Sequence, residues 1–271
     1  MRAARTNTPL RALVGGSFET SPKRQNGEVS KAPLRMQVAQ TSRISETGTG
    51  VAINYLTIGV AAHVPKGAQR GGSRNSGQRK SVELTAAQIA NLVAAEGHSR
   101  AIGLPFTRMI TIHWEAAGIA PSHMVRATGR FLDLLTKALG RHGYNTALLW
   151  TLENGPNKGA HCHLLAHIPM SFISVLTRLQ KGWLRRITGK PYRKRVIVSR
   201  PIGGRLGLEI ANPTLHSENL ATSFAYICKA ASQTVLNIYG LQRSHEPGGL
   251  IIGKRCGTSQ NISAKARRKQ D

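Results

Sequence analysis

"NTALLWTLENGPNKGAHCHLLAHIP", residues 145–169, decides how this chain is to be read. Two β-rich runs, "NTALLWTLE" and "AHCHLLAHIP", flank a turn of Gly, Pro, Asn and Lys, which is the composition of a hairpin loop. Side chains alternate along a strand, so His161 and His163 project from one face while Cys162 and Leu164 project from the other. Pairing Glu153 with His161 across the turn puts the carboxylate on the face of the two imidazoles, because directly opposed residues of an antiparallel pair share a side.

Outward from the hairpin the chain is periodic. "SVELTAAQIANLVAAEG" (81–97) predicts a helix capped by Thr85 and ending near Gly97, and "RMITIHWE" (108–115) predicts a strand. "PSHMVRATGRFLDLLTKALGRHG" (121–143) has helical spacing at Val125, Leu132, Leu135 and Leu139, with Ser122 as cap and Gly143 as stop. A helix capped by Ser171, a strand "KRVIVSRPI" and a helix capped by Ser217 follow. This order predicts an α+β fold with a mainly antiparallel sheet, helices on one face and the other face available for a ligand. Residues 1–80 mix Arg, Lys, Ser, Gly and Pro without a sustained period and read as a mostly flexible basic region. Residues 81–240 form the expected domain, and residues 241–271 read as a basic C-terminal arm.

Thirty-eight Lys and Arg against 12 Asp and Glu give a net charge of +26, well beyond the magnitude of about 2–8 of an ordinary soluble domain, so a polyanion is the natural partner. Nucleic acid leads. No run of about 18 apolar residues is present to span a bilayer. Cys162, Cys228 and Cys256 are odd in number and widely spaced, forming neither a disulfide framework nor a zinc knuckle, which favours a reducing, cytoplasmic setting without a membrane partner.

Two neutral nitrogens and one anionic oxygen suit a divalent ion, and three protein ligands leave positions open for water or a phosphate oxygen. Glu153, His161 and His163 are therefore the candidate metal ligands. The carboxylate favours Mg²⁺ or Mn²⁺, while the imidazoles would also accept Zn²⁺. An isolated His-x-His can also merely face solvent; His113 is a substitute ligand ranked below Glu153, and His167 reads as a strand-end histidine. On a helix "FAYICKAAS" (224–232), Tyr226 and Lys229 stand three residues apart on one face. A phenol titrates near pH 10, so it needs a cation or a polarised target before it attacks efficiently. Alone, this pair reads first as a packed tyrosine beside a solvated lysine.

His161, Cys162 and His163, with Glu153 upstream and Tyr226 and Lys229 in a Y-x-x-K spacing, together resemble the HUH endonucleases, specifically the single-tyrosine rolling-circle replication initiators (Rep-like proteins). The resemblance runs over about residues 105–235, and Cys162 departs from the larger aliphatic residue usual between the histidines. It implies a ferredoxin- or RRM-like domain with a five-stranded antiparallel sheet, a Mn²⁺ or Mg²⁺ ion on Glu153, His161 and His163, and Tyr226 and Lys229 as catalytic residues. It also implies metal-dependent nicking and strand transfer on single-stranded or hairpin origin DNA, through a covalent 5′-phosphotyrosine, in plasmid or phage replication. No GxxxxGK[ST] loop is present, so a host helicase and polymerase would be partners. "QKGWLRRITGKPYRKRVIVSR" (180–200) mixes Trp183 and Tyr192 with Lys181, Arg185, Arg186, Arg193, Lys194 and Arg195, a composition suited to phosphate contacts and base stacking, although Trp183 can equally be a buried residue of an amphipathic helix. A non-catalytic nucleic-acid-binding protein, a metal-dependent hydrolase using water, and a transposase or relaxase of the same chemistry are the alternatives.

Overall fold

A computed structural model describes residues 79–242 and 248–269; the N-terminal basic region expected over 1–80 lies outside the described residues apart from its last two positions. The elements in chain order are β1 (Lys80–Ser81), α1 (Ala86–Ala101), β2 (Arg108–His113), α2 (Met124–Arg141), β3 (Leu148–Gly155), β4 (Gly159–Ala166), α3 (Ile173–Thr188), β5 (Ile197–Pro201), α4 (Leu208–Ala211), α5 (Pro213–Cys228), α6 (Gln233–Ile238), β6 (Ile251–Ile252), β7 (Cys256–Thr258) and α7 (Ala264–Arg267). The fold is α+β. A five-stranded sheet of order β5-β2-β4-β3-β7 is antiparallel throughout, and β1 with β6 makes a separate two-stranded ribbon.

Strand alternation divides the sheet residues into two cores. Ile110, Ile112, Leu148, Trp150, Leu152, Cys162 and Leu164 meet Phe131, Leu135 and Leu139 of α2 and Leu176, Trp183 and Leu184 of α3. Each such side chain contributes roughly 1.5–3 kcal/mol by leaving water. The other face was expected to be open, and this is corrected: Leu149 and Leu165 on it pack against Ile89 and Leu92 of α1 and Leu220, Phe224 and Ile227 of α5. The physical reason lies in the strands, since apolar residues at both parities must be covered on both faces. The end carrying Thr111, Thr151, Glu153, His161 and His163 is polar on that side.

Helix starts differ from the sequence expectation in three places. Thr85 does cap α1, in a capping box with Gln88, and the helix runs on past Gly97. Neither α2 nor α3 has a side-chain cap; each is entered through a 3₁₀ turn, and the Ser171 hydroxyl instead bonds the Tyr144 hydroxyl at 2.7 Å. For α5 the cap is Asn212, whose side chain accepts from Leu215 N–H, with Pro213 in the first turn, so Ser217 lies within the helix. The three cysteines are free and buried. Among the described residues no helix is long and apolar enough to cross a membrane.

Residues 251–267, set apart from sequence as part of a basic arm, are built into the domain. β7 pairs with β3 in the register Leu149–Thr258, Trp150–Gly257 and Thr151–Cys256, closing one sheet edge. Arg255 is 1% exposed, and its guanidinium donates to the Gly248 carbonyl at 2.8 Å, the Ser81 carbonyl at 2.7 Å, the Ser81 hydroxyl at 3.1 Å and the Gly249 carbonyl. One side chain thus ties the C-terminal segment to the start of the domain. Arg255→Ala leaves these acceptors unmet and is expected to cost about 3 kcal/mol, read as a lower urea midpoint at unchanged m. A midpoint equal to wild type would return this segment to the status of an arm.

Candidate metal centre

The site is a product of strand register. On β3 and β4, Glu153 stands opposite His161 and Thr151 opposite His163; on β2 and β4, His113 stands opposite His161 and Thr111 opposite His163. One face therefore carries two rows across three strands, His113–His161–Glu153 and Thr111–His163–Thr151. The hairpin that sets this register closes at Gly159, at φ +59° and with the Glu115 side chain packed where a Cβ would project, so glycine is required on both counts. Glu115 also accepts the Ala160 N–H at 2.9 Å, pinning the first residue before the histidines.

Glu153, His161 and His163 are all buried, and their ligand atoms lie within 4.8 Å of one another. His161 Nδ1 lies 2.7 Å from the Gly159 carbonyl, an acceptor only, so a ring proton sits at Nδ1, and Nε2 stands 3.1 Å from Glu153 Oε2. Either a proton on Nε2 or a metal ion between the two atoms satisfies that contact. His163 Nε2 makes no hydrogen bond and lies 3.7 Å from the same oxygen, while its Nδ1 is 3.0 Å from the Thr111 hydroxyl. A proton shared by His161 and Glu153 would leave His163 unmet; a metal ion satisfies all three. The cluster can therefore bind a metal ion, with the Gly159 carbonyl and Thr111 as outer partners that orient the rings.

The electrostatics agree. Burial pushes the His163 imidazolium down to about 4, aided by His161 and Lys229 and opposed by Glu153, so its nitrogens are free of the second proton at neutral pH. Burial alone would raise the Glu153 carboxyl, but its contacts with His161, His163 and Lys229 outweigh this and hold it well below the usual range. His113, the substitute ligand, is outside the cluster: its ring centroid is 5.7 Å from that of His161. His167 bonds the Pro105 carbonyl through Nδ1 at 2.8 Å, at the strand end.

The C-terminal end of α5 brings in the remaining pair. Lys229, buried, places its ammonium 2.5 and 2.6 Å from the two Glu153 oxygens and 3.9 Å from the Tyr226 ring centroid. Tyr226 is half-buried, and its ring stands edge-on to His163 with centroids 5.0 Å apart. Burial, and then the Glu153 charge, raise its phenol above the ordinary value. Glu153, His161, His163, Tyr226 and Lys229 thus converge in one place.

Three contributors were missed in the sequence. Gly248 packs its backbone against the Glu153 side chain, too close for any Cβ, and Gly249 lies as close to the Asn154 carbonyl. The adjacent glycines were the only signal. Lys158, in the hairpin turn, is near enough that its charge joins burial in lowering both His113 and Lys229.

The basic stretch divides. Lys181, Arg185 and Arg186 are exposed on α3, which covers the opposite face of the sheet, whereas Arg193, Lys194 and Arg195 are exposed in the turn before β5. The His113 N–H to Val196 carbonyl bond of 2.8 Å puts that turn beside the metal-bearing end. Tyr192 is partly buried, with the Lys181 ammonium 5.8 Å from its ring centroid. Trp183 is corrected as a stacking residue: it is buried, edge-on to Phe131 at 5.5 Å, because α3 turns its apolar side to the sheet.

No protein-family model, curated protein or solved structure matches the chain. Replacing His161 and His163 together with Ala is expected to abolish Mn²⁺ binding measured by calorimetry while leaving most non-specific DNA affinity, which phosphate contacts by Lys and Arg supply. Mn²⁺ binding equal to wild type would remove the metal assignment.

Proposed function

We propose that this chain is a metal-dependent single-strand DNA endonuclease and strand transferase of the HUH type, with Tyr226 as nucleophile. The observation that carries the reading is that α5 delivers Tyr226 and Lys229, from a distant part of the chain, to the cluster of Glu153, His161 and His163. Y-x-x-K alone is a weak signal; the same pair against a three-ligand cluster is an arrangement suited to metal-assisted phosphodiester transfer.

Glu153, His161 and His163 would hold the ion, Mn²⁺ or Mg²⁺ on a phosphodiester substrate; bound there, it neutralises Glu153 and polarises the scissile phosphate. Tyr226 Oη attacks phosphorus and its proton passes to solvent. The bond from phosphorus to the 3′-oxygen breaks, and that oxygen takes up a proton and leaves as a 3′-hydroxyl, with the 5′-phosphate on tyrosine. The new phosphodiester keeps the energy of the old one, so attack by a 3′-hydroxyl rejoins the strand without ATP. Lys229 bridges the centre: its ammonium steadies Glu153 and lies over the Tyr226 ring, where it opposes the charge that raises the phenol. Arg193, Lys194, Arg195 and Lys158 are the exposed cations on this side for the DNA backbone, with Lys181, Arg185 and Arg186 farther away. Initiation of plasmid or phage rolling-circle replication, with a host helicase and polymerase, fits this chemistry, which a transposase or relaxase would share.

The decisive test incubates the protein with single-stranded DNA and Mn²⁺ and looks for a denaturant-resistant adduct whose modified peptide contains Tyr226. Tyr226→Phe keeps the ring and its packing and is expected to abolish the adduct at nearly unchanged stability. Adduct from the Phe variant would reassign the nucleophile, and DNA binding without any adduct from wild type would favour a non-catalytic binding protein. Lys229→Met leaves a buried carboxylate without its ammonium; stability is expected to fall by about 3 kcal/mol in urea, and the adduct to form more slowly on the same peptide. Equal stability would show that Lys229 does not hold Glu153.

A further inference from the structure

The positive charge of the chain is not spread evenly over its helices. α2 and α3 cover the sheet face opposite the metal cluster, while α1 and α5 cover the other. α1 and α5, each 16 residues long, carry one Lys or Arg between them, Arg100, and it is paired with Glu96 at 2.8 Å. α2 and α3, of 18 and 16 residues, carry eight, and all eight are exposed. Both layers face water, so solubility alone would charge them alike.

The eight cations are also ordered. On α2, Arg126, Arg130, Lys137 and Arg141 fall within about 60° of arc, on the side away from the buried Phe131, Leu135 and Leu139, and span about 22 Å of the helix axis. On α3, Arg178, Lys181 and Arg185 likewise fall within about 60°, away from the buried Leu176 and Trp183, with Arg186 next in sequence. The helices lie side by side and antiparallel: Phe131 of α2 meets Trp183 of α3 at 5.5 Å, and His142, just past α2, meets Phe172, just before α3, at 5.1 Å. The two stripes therefore make one basic surface. The one acidic residue of either helix, Asp133, is paired with Lys137 at 2.8 Å, and the other seven cations have no ion pair among the described residues.

What this surface lacks identifies its partner. Neither helix exposes an aromatic ring, since Phe131 and Trp183 are buried beneath the cations, so the unstacked bases of a single strand would find no platform. No large apolar side chain exposed among the described residues lies on α2 or α3, so nothing there would insert into a bilayer. Two rows of guanidinium and ammonium groups suit the phosphates of a double helix, whose bases stay paired and inside. α3 leads into the turn of Arg193, Lys194 and Arg195 beside the metal-bearing end, so the chain itself carries the basic surface from the back of the sheet round to the cluster.

We propose that the outer face of α2 and α3 is a second nucleic-acid surface, which grips the backbone of duplex DNA while the metal-bearing face takes the single strand. It rests on the reading above only in taking DNA as the polymer, and cleavage plays no part in it.

The test measures fluorescence anisotropy of the full chain with a DNA duplex of about 20 bp and a dT strand of the same length, over a range of salt and in EDTA, so that neither metal nor cleavage enters. R126Q/R130Q/R141Q/R178Q is expected to weaken duplex binding at least ~10-fold near physiological salt and to lower the salt slope by about 3, while the affinity for the dT strand changes by less than ~3-fold. R193Q/K194Q/R195Q, on the metal-bearing side, is expected to weaken the dT strand more than the duplex. If the quadruple variant melts early in a circular-dichroism scan, R130Q/R178Q is read in its place, with a slope lowered by about 2. Unchanged duplex affinity in the variant read, or an equal fall for duplex and dT strand, overturns the proposal, as does an RNA duplex of the same length that binds wild type more tightly than the DNA duplex. Absence of the tyrosine adduct would overturn the nicking reaction and leave these affinities as they are.

Discussion

Glu153 is a carboxylate withdrawn from water, and much of the domain is arranged to keep it charged. An ion of that size loses several kcal/mol of solvation on burial, which only close, well-aligned partners offset. Two parts of the chain supply them, and a third packs against the stem of the side chain. The neighbouring strand offers His161 and His163, the end of α5 offers the Lys229 ammonium, and the C-terminal segment lays the Gly248 backbone against its side chain. That segment is held in turn by Arg255, which is bonded to Gly248, Gly249 and Ser81. The hairpin, α5 and the edge strand β7 therefore answer to one buried charge, although they are far apart in sequence.

The same charge links the candidate metal cluster to Tyr226. Tyr226 is raised by burial first and by the Glu153 charge second. Burial is a fixed cost of the fold, whereas the second contribution depends on how fully Glu153 is neutralised. Lys229 occupies the position from which that balance is felt, against both carboxylate oxygens on one side and the tyrosine ring on the other. A cation added at Glu153 would thus act on the phenol without touching it.

What the sequence disclosed and what it withheld follow the range of the interactions. Glu153 opposite His161 was legible because a hairpin with a short turn admits few registers, and alternation then assigns every side chain to a face. The α+β class was legible from periodicity. The covering of the second face was not, because it depends on Leu149 and Leu165 meeting helices 50 or more residues away, and no local pattern encodes that meeting. β7 was hidden for another reason: "CGT" is too short to alternate visibly, and its basic neighbours resemble a solvated tail. Trp183 was misplaced because Lys and Arg crowd its stretch of sequence while the ring it meets in space, Phe131, is apolar. Composition reports the first set only.

The buried cations sort themselves by one criterion, whether their donors are met within the chain. Every guanidinium nitrogen of Arg255 has an acceptor, so its role is complete within the fold. Lys229 is met by a carboxylate that also serves the two imidazoles, so its role is shared with whatever that carboxylate binds. Arg108 bonds Ser199 through two of its nitrogens and keeps the third without a protein acceptor, one of four such buried atoms among the described residues, with Thr151 Oγ1, His163 Nε2 and Gln180 Oε1. In so basic a chain the total charge says only that an anionic polymer is welcome.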